Sequence, residues 1–219
     1  GFLFTHAFSA APSCTPSRAA ILTGQAPHRL EEGGSLHGFL PKKFPVYPDL
    51  LEQAGYIVGF TGKGWGPGNV EAGGRSRNPA GNRFKSFEEF LKIVPAGKPF
   101  CFWYGSTDPH RAYEKGSGIA SGMKPENVVV PPYYPDTPEI RNDVLDYYFE
   151  VQRFDDSVGE HLQLLERRWL TTNTLVVISG DNGWPFPRGK ANLYDAGTHQ
   201  ALAFRWPAKS KGGEKIDAF

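Results

Sequence analysis

Short apolar segments alternate along this chain with longer stretches in which apolar residues recur at helical spacing. Segments rich in β-branched and aromatic residues predict five strands, at residues 2–8, 56–62, 100–106, 174–180 and 201–206. The patterns between them predict helices at residues 16–24, 47–55 and about 138–168. Strands that alternate with helices are typical of a largely parallel sheet covered by helices. The pattern therefore predicts an α/β fold.

The longest predicted helix carries an apolar stripe, because its apolar side chains recur three or four residues apart. The stripe consists of Val144, Tyr147, Val151, Phe154, Val158, Leu162 and Leu165. We expect it to pack against the core. Two other segments, 64–82 and 113–136, are rich in Gly, Pro and polar residues and predict long surface loops. Both follow predicted strands, and ligands bind at the carboxyl edge of open parallel sheets, so both loops are candidates for function.

Composition and charge exclude several classes of function. The chain has 219 residues, which favours one large domain. Its 24 Lys and Arg residues balance 23 Asp and Glu residues, so no general basic field is present to attract nucleic acid or an anionic membrane. No apolar run approaches the ~20 residues that span a bilayer. Cys14 and Cys101 form no C-x-x-C pair, so neither a structural zinc site nor a disulfide scaffold is indicated.

Residues whose side chains can act as nucleophiles, acids or ligands stand just after the predicted strands or, for Lys190, in the loop beyond the fourth. They are Cys14, Arg18, Lys63, Asp108, His110, Asp181, Asn182 and Lys190. Taken singly, each fits an ordinary structural role, such as a buried thiol or a turn residue. Their shared position favours function, because the carboxyl ends of parallel strands meet at one edge of the sheet. Cations, a histidine, oxygen ligands and a sulfur together suit a tetrahedral oxyanion and a hard metal cation.

The cysteine stretch resembles a known signature. "CTPSR" at residues 14–18, followed by "AAILTG", is similar to the motif of type I sulfatases, in which the cysteine is converted to formylglycine. "GYIVGFTGKG" resembles the second signature of that family, and "DPHR" and "SGDNG" follow in the family's order. "STDPHRAY" and "DNGWPFPRGKANLYDAGT" are most similar to the heparan N-sulfatase (sulfamidase) branch of the family.

The resemblance implies an alkaline-phosphatase-like α/β/α sandwich with a mostly parallel central sheet. Under this interpretation residues 1–219 are one catalytic domain, an N-terminal portion that lacks the family's first strand and its C-terminal subdomain. Such enzymes work in secreted, periplasmic or lysosomal locations. The implied partners are a sulfated carbohydrate and the formylglycine-generating enzyme.

The resemblance also implies catalytic roles. Cys14, as formylglycine hydrate, is expected to attack sulfur, because an aldehyde hydrate offers a hard oxygen nucleophile. Arg18 lies one helical turn away and holds the hydrate and the metal environment. Lys63 and Lys190 match positions that bind sulfate oxygens. His110 matches the histidine that protonates the leaving oxygen or nitrogen.

Asp181 and Asn182 match two oxygen ligands of a divalent cation, which is usually Ca²⁺ in this family. Calcium prefers six to eight oxygens, so two residues do not complete a site. The family's other two ligands are adjacent aspartates at the end of its first strand, upstream of residue 1. On this basis the chain by itself is expected to bind metal poorly and to turn over slowly or not at all.

One position departs from the family pattern. The second signature usually reads G-K-x-H, whereas this chain has "GKGW", with Trp65 in place of the histidine. That histidine is thought to assist breakdown of the sulfated hemiacetal. His28, His37 and His199 are available as substitutes, although each is better explained as a surface or packing residue. Trp65 itself could stack on a sugar ring.

The function favoured by these motifs is formylglycine-dependent hydrolysis of sulfate esters or N-sulfo groups, on a glycan. One alternative is a phosphoester or phosphonate hydrolase on the same fold, because phosphate and sulfate are similar tetrahedra. Another is a catalytically inactive, sulfatase-like binding protein, which Trp65 and the incomplete metal ligands would explain.

Overall fold

The computed structural model describes residues 1–217 of the chain. These residues divide into two compact units. The first unit comprises Gly1–Gly105 and the segment from Glu166 onward, and the second comprises Ser106–Leu165. All of the β-strands in the described residues belong to the first unit. The long helix lies almost entirely in the second unit.

The strands of the first unit form two sheets. They are β1 (Phe2–Phe8), β2 (Ile57–Gly62), β3 (Asn82–Arg83), β4 (Phe100–Gly105), β5 (Val176–Ser179), β6 (His199–Arg205) and β7 (Glu214–Ile216). One sheet has the order β3-β2-β4 and is parallel throughout. The other has the order β5-β6-β1-β7 and is mixed, because β6 runs antiparallel to both β1 and β5.

The five predicted strands are therefore present, with two differences in the sheet. The sheet that contains β1 is less parallel than predicted, because β6 returns between two strands that share a direction. The strands β3 and β7 were not predicted, because at two and three residues they are too short to carry an alternating pattern.

The helices are α1 (Cys14–Thr23), α2 (Tyr47–Gln53), α3 (Phe87–Ile93), α4 (Ser117–Ala120), α5 (Pro138–Arg167) and α6 (Asp195–Thr198). The three predicted helices correspond to α1, α2 and α5. Helix α3 was missed, although Ser86 caps it in the usual way by accepting a hydrogen bond from the Glu89 amide at 3.1 Å. Helix α1 ends at Gly24, whose φ of 67° is a left-handed conformation that glycine adopts without steric cost.

Two apolar clusters support the first unit. Helix α1 packs into a buried cluster formed by Ala19, Leu22, Leu30, Leu40, Val46 and Trp65. A second cluster of phenylalanine rings lies between α3 and the parallel sheet, and it consists of Phe84, Phe87, Phe90, Phe100 and Phe102. Burial of each such side chain stabilises the fold by about 1.5–3 kcal/mol. The two clusters hold α1 and the ends of β2 and β4 in fixed positions.

The second unit contains a shorter loop than predicted. Within the segment 113–136, α4 forms a turn of helix that Asp146 of α5 anchors: the Asp146 carboxylate accepts hydrogen bonds from the Gly116 and Gly118 amides at 2.9 and 2.8 Å. The apolar stripe of α5 is buried at Val144 and Leu165, whereas Val151 is 38% exposed. The stripe is therefore buried at its ends and more exposed in its middle.

No helix among the described residues is long and apolar enough to cross a membrane.

Candidate active site

Cys14 is the first residue of α1, at the turn that follows β1. Ser13 is extended at the N-cap, with φ −153° and ψ 149°, and its carbonyl accepts the first helical hydrogen bond from the Ser17 amide at 3.1 Å. Pro16 sits in the first turn, where an amide hydrogen has no helical partner. The helix thus begins two residues before the predicted start at residue 16, and its first residue is Cys14, which is 3% exposed.

Arg18 connects three segments of the first unit. Its Nε donates to Asp181 Oδ2 at 2.6 Å, and its Nη1 donates to the carbonyl oxygens of Lys63 and Gly64, both at 2.8 Å. The guanidinium carbon also lies 5.7 Å from the centre of the Trp103 ring. Because Arg18 is 7% exposed, these contacts fix the start of α1 against the ends of β2 and β5.

Lys63 is positioned by a close approach of two strand ends. Gly62 has a φ of 70°, and a Cβ there would lie 2.0 Å from the Gly105 carbonyl oxygen. The Lys63 amide donates to that same oxygen at 2.7 Å. Only glycine fits this position, and it allows the chain to turn sharply after β2. The turn places the Lys63 Nζ 3.9 Å from Asp181 Oδ2.

Two further side chains contact the thiol itself. The Lys190 Nζ lies 3.2 Å from Cys14 Sγ, and the Asn182 Nδ2 lies 3.6 Å from it. Asn182 also donates to Asp181 Oδ1 at 2.7 Å. The structure therefore brings together Cys14, Arg18, Lys63, Asp181, Asn182 and Lys190, which the sequence predicted at three strand ends and one loop.

The charges of this cluster favour anions. Burial alone raises the pKa of the Cys14 thiol, and Asp181 also raises it, but the hydrogen bond and charge of Lys63 and the charge of Lys190 outweigh both, so the pKa is lowered. Burial likewise raises the pKa of Asp181, and the charges of Arg18 and the two lysines lower it below its usual value. Burial raises the pKa of the Cys101 thiol to about 11. The cluster is thus a partly buried site for negative charge.

His110 belongs to the second unit, whereas the residues described above belong to the first. Its ring is exposed, and its Nδ1 lies 2.5 Å from the Arg111 carbonyl oxygen. Asp108 of the same segment pairs with Arg153 of α5 at 3.4 Å. The role of His110 in the site stays a prediction.

The suggestion that Trp65 stacks on a sugar is wrong. Its side chain is 4% exposed and packs in the apolar cluster around α1, while its backbone is clamped by Asn78, which accepts from the Trp65 amide and donates to the Trp65 carbonyl, both at 2.9 Å. Of the three histidines considered as substitutes for the expected one, His28 and His37 are exposed, and His199 pairs with Asp195 at 3.3 Å. The indole therefore fills core volume at the position where the resemblance implies a histidine.

Sequence reasoning missed two supports of the site. The Thr15 hydroxyl donates to the Leu36 carbonyl at 2.6 Å and also contacts the Pro67 carbonyl, which ties the residue after Cys14 to two loops. The Ala191 amide donates to the Pro12 carbonyl at 2.7 Å, which ties the Lys190 loop to the approach of Cys14. The second support had a sequence signal, because "PRGKANLYDAG" is a turn-rich segment that follows a strand.

The residues fit a divalent cation only in part. Asp181 and Asn182 carry the hard oxygen donors that Ca²⁺ prefers, and they are adjacent. Among residues 1–217, no group of three or more His, Cys, Asp or Glu side chains is arranged to hold a metal ion. Two ligand side chains do not satisfy the six to eight positions that Ca²⁺ prefers, so Asp181 and Asn182 do not complete a calcium site by themselves.

Comparison with known proteins identifies relatives along most of the chain. Residues 1–76 match the family model described as Sulfatase. N-sulphoglucosamine sulphohydrolase from Homo sapiens is 34% identical over an alignment that covers 95% of this chain and 49% of that protein. The chain thus spans about half the length of this curated relative.

Solved structures show the same fold. A structure in complex with its substrate D-glucosamine-2-N,6-O-disulfate superposes with a TM-score of 0.72 at 17% identity, covering all of this chain and 66% of the other. A phosphonate monoester hydrolase from Silicibacter pomeroyi has a TM-score of 0.70 at 17% identity, covering 99% of this chain and 63% of that one. The predicted alkaline-phosphatase-like fold is confirmed. A Sulfatase family model over residues 1–76 and a relative with 34% identity together show that this chain is similar to sulfatases.

Proposed function

We propose that the protein is a hydrolase that removes sulfate from sulfate esters or N-sulfo groups on sulfated saccharides. The observation that carries this proposal is the contact of Cys14 Sγ with Lys190 Nζ at 3.2 Å, beside an Asp181 carboxylate held by Arg18 at 2.6 Å. A sulfuryl group is a tetrahedron of negative oxygens, which clustered cations bind well. The relative named N-sulphoglucosamine sulphohydrolase supports this substrate class.

Cys14 acts after conversion to formylglycine. A thiolate is a soft nucleophile, whereas the hydrated aldehyde presents a hard hydroxyl oxygen. That oxygen bonds to sulfur while the bond from sulfur to the substrate oxygen or nitrogen breaks. The second hydroxyl of the hydrate then loses its proton, the carbon–oxygen bond to the sulfate breaks, and inorganic sulfate leaves. The aldehyde is regenerated, and addition of water restores the hydrate.

The cations stabilise the charge that develops on the sulfuryl oxygens. Lys190 lies beside the nucleophilic position, and Lys63 faces Asp181 from the end of β2. Loss of one such preorganised donor costs about 10²–10³ in kcat, so Lys190→Ala is expected to fall in that range. Arg18 holds Asp181 and the strand ends in place.

His110 donates a proton to the departing group. An alkoxide or amide anion is a poor leaving group, so proton transfer is required for either a sulfate ester or an N-sulfo substrate. Histidine is the side chain that most often carries out such proton transfers in enzymes. The expected signature of His110→Ala is a large loss of rate with alkyl or sugar substrates and a smaller loss with an aryl sulfate, whose leaving group needs less protonation.

Asp181 and Asn182 contribute oxygen ligands to a divalent cation, Ca²⁺ in our proposal, and other residues of the full-length protein complete its coordination. Such a cation, when bound, draws electron density from sulfate oxygens. Maturation requires the formylglycine-generating enzyme, and the protein works in a secreted, periplasmic or lysosomal compartment, where sulfated glycans occur.

Kinetics on the full-length protein test the proposal. We expect hydrolysis of N-sulfoglucosamine and an aryl sulfate to exceed hydrolysis of an aryl phosphate. The fold shared with a phosphonate monoester hydrolase keeps phosphoester hydrolysis as the second candidate. Phosphate monoesters carry more negative charge and usually recruit more metal, which this site does not favour. If the sulfated compounds were the poorest substrates, phosphoester hydrolysis would replace sulfate hydrolysis as the proposed function. If the matured protein turned over none of the substrates, the remaining hypothesis would be a catalytically inactive binding protein.

A further inference from the structure

The loop that carries Lys190 is held by its own backbone. We call residues 183–197, between β5 and β6, the rim loop. The Gly183 amide donates to the Gly197 carbonyl at 2.8 Å, which joins the two ends of the loop. The Lys190 amide donates to the Trp184 carbonyl at 2.9 Å. The rim loop is therefore an ordered turn with a fixed shape.

The rim loop is also fixed to the active site. The Ala191 amide donates to the Pro12 carbonyl, two residues before Cys14, at 2.7 Å. Arg188 and Ala191 have φ angles of 63° and 66°, a left-handed conformation that residues other than glycine keep only where their surroundings impose it. Lys190 of this loop contacts Cys14, so the residues that follow it are held in a defined position close to the site along the chain.

The outer side of the loop presents a charge and an aromatic ring to solvent. Tyr194 is 58% exposed and the neighbouring Leu193 is 85% exposed. Arg188 is exposed too, and its guanidinium carbon lies 5.7 Å from the centre of the Tyr194 ring. A guanidinium binds carboxylate and sulfate groups with two hydrogen bonds, and an aromatic face packs against the apolar C–H face of a sugar ring.

We propose that Arg188 and Tyr194 form a second saccharide subsite. The sugar next to the sulfated one packs on the Tyr194 ring, and its carboxylate or sulfate group binds the Arg188 guanidinium. This inference rests on the proposed function, since it places the sulfated sugar at Cys14. Lys190 and Tyr194 are four residues apart, so their Cα atoms are separated by at most about 14 Å. The two side chains therefore start from neighbouring positions on the same loop.

Substrate length tests this subsite on the full-length protein. Two substrates are compared: a sulfated hexosamine, and a disaccharide in which the same hexosamine is joined to a uronic acid. We expect Arg188→Gln to raise the KM for the disaccharide about tenfold, the effect of one charge-assisted hydrogen bond. Tyr194→Leu is expected to raise it about fivefold. Neither variant is expected to change kcat/KM for the monosaccharide.

Matched controls come from another exposed pair. Arg168 and Trp169 are both exposed, the latter at 92%, and they precede β5 at its amino end, away from the rim loop. Arg168→Gln and Trp169→Leu should leave both substrates unaffected. Equal changes for both substrates in the rim-loop variants, or no change for either, would overturn the proposal. A lowered melting temperature with equal loss on both substrates would overturn it too, because the two side chains would then support the fold and not bind the second sugar.

Binding separates failure of the subsite from failure of the proposed function. If the wild-type protein hydrolyses neither saccharide, the proposed function fails, and calorimetric titration with the same two saccharides still tests the subsite. Tighter binding of the disaccharide, lost in Tyr194→Leu, supports the subsite. Equal binding of the two saccharides by the wild-type protein rejects it.

Discussion

Replacement of Arg18 by methionine removes the side chain that ties α1 to the ends of β2 and β5. Methionine has a similar length and retains the apolar contacts of the arginine stem, so the variant isolates the guanidinium. The lost contacts are the ion pair with Asp181 at 2.6 Å and the hydrogen bonds to the Lys63 and Gly64 carbonyls at 2.8 Å. We expect the variant to be less stable and inactive.

The magnitude follows from burial. The Arg18 side chain is 9% exposed and the Asp181 side chain is 20% exposed. The variant therefore leaves a mostly buried carboxylate without its main ion-pair partner. Breaking a buried pair in this way costs about 3–5 kcal/mol, and Lys63, 3.9 Å from the same oxygen, keeps the cost near the lower end. Trp103 still donates to the Lys63 carbonyl at 3.1 Å, so the lost carbonyl contacts add only about 1 kcal/mol. The expected loss in the free energy of unfolding is about 4 kcal/mol.

Denaturant unfolding of four proteins measures the loss: wild type, Arg18→Met, Asp181→Asn and the double variant. Because Asp181→Asn removes the stranded charge, the double variant should be about 2–3 kcal/mol more stable than Arg18→Met. Lys43→Met is the control, since its pair with Glu31 is exposed and should contribute less than about 1 kcal/mol. Strictly additive effects of Arg18→Met and Asp181→Asn would refute the reasoning.

Three further outcomes can be measured. Trp65→His should lose about 3 kcal/mol in the free energy of unfolding because it empties core volume, whereas Trp169→His, at a site 92% exposed, should lose almost none; equal losses would contradict the core assignment of Trp65. Cys101, with its pKa raised to about 11, should react with iodoacetamide at pH 8.5 much more slowly in the folded than in the unfolded chain, and equal rates would reject this. Asp146→Ala, which strands two amides at α4, should cost about 1–3 kcal/mol and speed hydrogen exchange at Gly116 and Gly118; unchanged exchange would count against the anchor.

The pattern of apolar and polar residues predicted the features that depend on the local sequence, namely the strands and the polar residues that follow them. The strands that lead to Cys14 and Lys63 are apolar runs followed by polar residues, and both strands are present in the structure. The predicted grouping at strand ends came from a general property of α/β sheets. That general property does not place Lys190, which lies in a loop. A backbone hydrogen bond between Ala191 and Pro12 brings that loop to the thiol.

Other features depend on contacts between distant segments. The direction of β6 is set by its partners β1 and β5, and an apolar hexamer carries no sign of it. Trp65 was interpreted from its place beside Lys63, whereas its burial depends on Leu30, Leu40 and Val46, which the sequence places well upstream. A motif therefore predicted which residues meet, but it did not predict which neighbours of the motif face the core.

The mass of the tryptic peptide that contains Cys14 tests the central claim most directly. The full-length protein is produced with the formylglycine-generating enzyme, and the peptide that contains Cys101 serves as the unmodified internal control. We predict that the Cys14 peptide loses the mass that separates a thiol from an aldehyde, while the Cys101 peptide keeps its thiol. An unmodified thiol at Cys14 in the matured protein would contradict a formylglycine nucleophile and with it the proposed hydrolysis.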